Sequence, residues 1–128
     1  MKIVLENKES EELFHAALCN GLGYMCGGYN MELVYSKTAY KEARDRVYVK
    51  DMSTCYEDVL LEMLRSGHSL KLHCRDEEEI HSIDINAVHE RVQETQTNHL
   101  MDMMNERDDA VTADVILQTV FLGEIVYG

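Results

Sequence analysis

Apolar residues recur along this chain with two different periods, and the switches between them mark its elements. Leu13, Phe14, Ala17, Leu18, Gly21, Leu22 and Met25 fall at helical spacing, which predicts one helix of about five turns capped by Asn7 or Ser10. Gly27-Gly28 predicts its end, because glycine adopts the left-handed backbone conformation that closes a helix. Before it, Ile3 to Leu5 is a short apolar run suited to a first strand. After it, Met31 to Tyr35 alternates and carries Val and Tyr, as a strand does, and Ser36 then caps a short helix through Ala39, Tyr40, Ala43 and Val47.

Beyond Asp51 the pattern is sharper. Ser53 or Thr54 caps a helix with the stripe Tyr56, Val59, Leu60, Met63 and Leu64, and Gly67 stops it. Leu70 to Cys74 and His81 to Ile85 alternate on either side of an acidic tip, Asp76 to Glu79, and so predict a hairpin. A slip of one residue would turn its apolar set to the wrong face. Matching aliphatic residues pairs Leu70 with Ile85 and Leu72 with Ile83, sets Lys71 opposite Asp84, and sets Cys74 opposite His81 on the apolar face. Three helical stretches follow: one near Val88 and Val92, one through Leu100, Met103 and Met104, and a last with Ala113, Ile116, Leu117, Val120 and Phe121 inward. The predicted order is β-α-β-α-α-β-β-α-α-α. Strands and helices do not alternate strictly, so the expected fold is a single α+β domain: a small mixed or antiparallel sheet including the 70–85 hairpin, covered by five to six helices.

Composition agrees with one folded unit. The 128 residues are 45% hydrophobic and 28% charged, enough to bury roughly two thirds of the surface the unfolded chain exposes. There is no proline and no Gly/Ser-rich stretch to act as a linker. The N-terminus turns charged at Glu6 and lacks the apolar region of a secretory signal. No segment has the ~20 apolar residues of a membrane span. Cys19, Cys26, Cys55 and Cys74 form no CxxC pair and read as reduced thiols, so a cytoplasmic location is expected.

Charge narrows the partners. Residues 1–50 carry seven basic and seven acidic side chains, residues 51–128 five and seventeen, so the whole net charge of −12 comes from the later part. A field of that sign repels nucleic-acid phosphates and anionic lipid and attracts basic protein surfaces. Asp76, Glu77, Glu78 and Glu79 at the hairpin tip are the candidate interaction residues. Asp108, Asp109 and Asp114 surround the start of the last helix, where they offset the positive end of its dipole.

Candidate chemistry is sparse. Cys74 beside His81 has the residue types of a thiol nucleophile and its base, or of an ordinary core pair, since cysteine is among the most buried residues. His99 and Asp102, spaced i, i+3 on one helix, are candidate metal ligands with His89 and Glu90, although neither HExxH nor a finger spacing is present. Gly21 to Gly28 is glycine-rich, but it ends a helix where a phosphate loop opens one, so it reads as a cap with close packing at Gly21 and Gly23. No motif calls for a cofactor.

Four stretches carry a resemblance. Ala17 to Cys26 (ALCNGLGYMC), Cys55 to Leu64 (CYEDVLLEML), Ala87 to Val92 (AVHERV) and Asp108 to Phe121 (DDAVTADVILQTVF) resemble small uncharacterised proteins of tailed phages and prophages of Bacteroidales. The likeness runs from about Leu13 to Gly128 except for Lys37 to Thr54. It implies an intracellular phage or prophage product of one α+β domain, in the cytoplasm of the bacterial host, and brings no activity or site residues with it. The expected function is non-enzymatic binding of a host or phage protein through the acidic C-terminal two thirds of the chain, which would cover a basic or nucleic-acid-binding surface of that partner. The alternatives are a small enzyme or ligand-binding domain at Cys74/His81 or His99/Asp102, and a phage assembly component using Phe121-Leu122 and Ile125-Val126 as a contact.

Overall fold

A computed structural model of the protein describes residues 3–50, 52–107 and 109–127. Its first helix, α1, spans Asn7–Gly28. The glutamates before and within its first turn start it: the Glu6 amide donates to Glu9 Oε1 at 3.0 Å, which satisfies a donor that no intrahelical acceptor reaches. Neither expected cap serves, since Asn7 is already helical and Ser10 is buried within the helix. The helix ends at Gly28 as the glycine pair predicted, but the left-handed residue is Asn30, with φ 53°. Asparagine tolerates that conformation better than most side chains.

Strand β1 is Met31–Val34. Helix α2, Lys37–Val47, begins where Ser36 Oγ accepts from the Ala39 amide at 3.2 Å. Helix α3 is Tyr56–Arg65, with Cys55 at its N-cap in place of the expected Ser53 or Thr54. Gly67, with φ 91°, closes it. Strands β2, Leu70–Cys74, and β3, Glu79–Ile83, form the hairpin. Helix α4, Ile85–Arg91, runs into a 3-10 turn at Val92–Glu94, and α5, Thr97–Met104, and α6, Ala110–Leu122, complete the order. The fold is α+β: six helices and one antiparallel sheet of order β1-β2-β3 among the described residues.

Two expectations about the strands are corrected. Ile3 to Leu5 is not a strand; Leu5 is buried and its amide donates to Gln93 Oε1 at 3.1 Å, a side-chain partner instead of a sheet neighbour. The hairpin register is shifted by two residues. Leu70 faces Ile83, Lys71 faces Ser82, Leu72 faces His81 and Cys74 faces Glu79, so the pairs Leu70/Ile85, Leu72/Ile83, Lys71/Asp84 and Cys74/His81 do not form. The reason is local. Asp84 Oδ1 accepts from the Ala87 amide at 3.0 Å, which caps α4 and takes Asp84 and Ile85 out of the strand. The next aliphatic residue of the right sidedness, Ile83, then meets Leu70, and the face of each side chain is preserved because the shift is even.

One sheet face, with Met31, Leu70, Leu72, Cys74 and Ile83 buried, lies on the helices. The other carries Glu32, Val34, Lys71, Ile80 and Ser82 and is exposed. Helix α6 is buried on every side from Thr112 to Phe121, the mark of a central core helix. It packs chiefly on α1, where Phe14 and Phe121 meet at 6.1 Å between ring centroids. An added Cβ at Gly21 would sit 2.7 Å from Ala113 Cβ, so the close packing expected there is present. It is absent at Gly23, which has nothing within 4 Å.

Candidate functional site

The four-residue turn Arg75–Glu78 carries the acidic tip, and its shape comes from the neighbouring α1–β1 turn. The Arg75 amide donates to Asn30 O at 3.3 Å, and Asn30 Nδ2 donates to Asp76 Oδ1 at 2.9 Å. Glu78 takes a left-handed conformation, φ 53°, which turns the chain back into β3. Asp76, Glu77, Glu78 and Glu79 are all exposed. The cation inside the turn is already engaged, since Arg75 Nη2 donates to Glu32 Oε2 at 2.9 Å. Of the four tip carboxylates, Glu79 alone has a described ion pair, with His81 Nε2 at 3.1 Å. Elsewhere Arg46 pairs with Glu62 and Arg65 with Glu11.

Beneath the tip lies a cavity of about 260 Å³ whose wall includes Cys74, Glu77, Glu79, His81, Glu124 and Tyr127. Its far side is the segment after α6, which Gln118 holds: Oε1 accepts from the Val126 and Tyr127 amides at 2.8 Å each, and Nε2 donates to Tyr127 O at 2.9 Å. Tyr127 stacks on Tyr29 at 4.9 Å. Burial first, then the Glu77 carboxylate beside it, pushes the Tyr127 hydroxyl up to about 12.

Cys74 and His81 thus face one cavity from the same sheet face, though not as cross-strand partners. Cys74 is 2% exposed. Burial, then Glu77 and Glu79, pushes its thiol up and keeps it protonated. The candidate metal ligands are dispersed. His99 Nδ1 lies 3.2 Å from Thr112 Oγ1 and His89 Nε2 lies 2.7 Å from Glu11 Oε2, while Glu90 lines a separate surface pocket with Arg91. Burial opposes the ionisation of Glu11, but Arg65 and His89 outweigh it and hold that carboxyl below its usual range. Among the described residues no three His, Cys, Asp or Glu side chains are arranged to hold a metal ion.

Asp114 is a correction. It does not serve the dipole of α6 but is 5% exposed, with Oδ2 accepting from Tyr29 Oη at 3.0 Å and from Gln118 Nε2 at 2.9 Å. Its Oδ1 is buried without a hydrogen-bond partner. Burial raises its pKa, and the two hydrogen bonds only partly oppose that. Asp109 does cap the helix, accepting from the Thr112 amide at 2.9 Å, and Asp108 lies outside the described residues.

A second site has no counterpart in the sequence reading. His15 and Cys19 share a face of α1, with Nδ1 and Sγ 3.9 Å apart, and His15 Nε2 lies 2.5 Å from Asp58 Oδ1 on α3. Of the three, Cys19 lines a cavity of about 450 Å³ between α1, β1 and α3. The i, i+4 spacing of His15 and Cys19 was visible in the sequence. The third member, 43 positions away, comes only from the docking of α3 on α1.

No protein-family model, no curated protein and no solved structure matches the chain. No helix among the described residues is long and apolar enough to cross a membrane.

Proposed function

We propose that the protein binds a basic protein surface through the acidic end of the β2–β3 hairpin, as a non-enzymatic phage or prophage product acting on a host or phage protein in the bacterial cytoplasm. One observation carries this reading: four consecutive exposed carboxylates whose only described ion-pair partner is His81. Glu124 adds a third carboxylate, beside Glu77 and Glu79, at the cavity beneath the tip. Unbalanced charge in one place speeds encounter with a cationic partner and disfavours anionic ones. Ile80, 64% exposed beside the tip, supplies apolar area for contact once charge has brought the partner in. A target that normally binds nucleic acid fits this chemistry, because carboxylates then stand in for phosphates.

The test is binding of a lysine-rich peptide followed by fluorescence anisotropy across a salt series. The variant D76N/E77Q/E78Q/E79Q is expected to lose about tenfold in affinity at low salt and most of the salt dependence, which reflects screening of these charges. Unchanged affinity and unchanged salt dependence would remove the hairpin end from the function.

A further inference from the structure

The cavity between α1, β1 and α3 lies on different elements from the hairpin tip; Cys19 lines it, His15 adjoins Cys19 and Asp58 adjoins His15, and the binding reading uses none of the three. A carboxylate is an acceptor only, so Asp58 Oδ1, 2.5 Å from His15 Nε2, fixes the imidazole proton on Nε2. In the neutral imidazole Nδ1 then keeps its lone pair, with Cys19 Sγ 3.9 Å away. Thiol, base and orienting acid therefore stand in the order that activates a nucleophile, at the longer separation usual without substrate. Cys19 is exposed and opens on the cavity, whose walls are apolar at Leu18, Leu22, Met31, Leu33 and Tyr56.

A second feature converges there. Helix α3, ten residues long, starts at Tyr56 without a side-chain cap, because Cys55 accepts no amide. The first-turn amides of Tyr56, Glu57 and Asp58 have no intrahelical acceptor, and Tyr56 and Glu57 line the same cavity as Cys19.

We propose that Cys19 is an acyl-accepting nucleophile, with His15 as its base and Asp58 as the residue positioning His15, and that the cavity takes the apolar chain of an activated ester or thioester. The Cys19 thiol gives its proton to His15 Nδ1 as the bond from Sγ to the acyl carbon forms. The bond from that carbon to the leaving group then breaks, and the leaving group departs with the proton from Nδ1. The products are S-acylated Cys19 and the free alcohol or thiol, with no change of oxidation state. Burial, then Glu57, Asp58 and Cys55, pushes the Cys19 thiol up, so the sulfur is protonated at rest and attack depends on the base.

The experiment treats the full chain with 4-nitrophenyl butyrate, following nitrophenolate release and locating the butyryl group by peptide mass mapping. The expected result is one rapid equivalent of nitrophenolate per chain with the adduct on Cys19, formed about 100-fold faster than at the exposed Cys55. C19A abolishes the rapid phase and leaves Cys55 labelling unchanged. H15Q, checked for folding by circular dichroism, slows it about 100-fold and makes the rate climb with pH as the thiol ionises, whereas the wild-type rate does not follow thiol ionisation. D58N slows the reaction without moving the adduct. Butyrate reacts about tenfold faster than acetate if the apolar walls hold the chain. Acylation of Cys19 no faster than Cys55, or an H15Q rate and pH profile like those of wild type, would overturn the proposal; equal rates for butyrate and acetate would overturn its cavity.

Discussion

Replacing Gly21 by alanine tests the contact on which the core is built. A Cβ there would lie 2.7 Å from Ala113 Cβ, 3.1 Å from Ala113 C and 3.1 Å from the Asp114 amide nitrogen. None of these is the mobile end of a long side chain, so α1 and α6 must separate. Overpacking of this kind costs about 1–3 kcal/mol, while alanine in place of glycine within a helix returns about 1 kcal/mol. Gly23 lies two residues on in the same helix with nothing within 4 Å, so G23A gains the propensity and escapes the clash. The gap between the two variants isolates the packing cost at about 1–3 kcal/mol, or about 4 to 12 °C in Tm for a chain this size. Thermal and urea unfolding of both variants reads it directly. If G21A were as stable as G23A, the close approach of α1 and α6 would be refuted.

Other expectations follow from the buried acid and the caps. Burial raises the Asp114 pKa, so its favourable contribution is complete below the unfolded-state value and is lost as pH rises through the folded one. D114N, whose amide oxygen can still accept from Tyr29 and Gln118, should therefore be more stable than wild type at neutral pH, with the difference vanishing in acid; urea midpoints across pH check this, and a less stable D114N at neutral pH would contradict it. S36A removes the acceptor of the Ala39 amide and should cost about 1 kcal/mol of unfolding free energy by urea titration, with S36G costing much less.

The parts of the fold legible in the sequence were those fixed by near neighbours. The stripe from Leu13 to Met25 and the stop at Gly67 depend on spacing and backbone conformation within a few residues, and both hold. The hairpin register failed because matching Leu70 to Ile85 assumed the strand continued, whereas Asp84 was better used as the cap of α4. Asp114 was misplaced for a related reason. Proximity to a helix start suggested a dipole role, but Tyr29, 85 positions away, determines where it sits. The acidic tip was legible as composition, and its four carboxylates are exposed. The His15, Cys19 and Asp58 arrangement was not, since it exists only once α3 has docked on α1.

The central claim is that charge is concentrated usefully at the hairpin end and is not merely abundant. Two variants of equal net charge, −8 in place of −12, separate the possibilities: D76N/E77Q/E78Q/E79Q at the tip, and E12Q/E42Q/D45N/E94Q at exposed positions elsewhere. Titration of each ¹⁵N-labelled protein with a lysine-rich peptide, read by amide shift changes, should show binding confined to residues 75–81 and 124–127 in wild type and in the second variant, and lost in the first. Equal weakening of both variants, or shift changes spread evenly over the surface, would contradict the account.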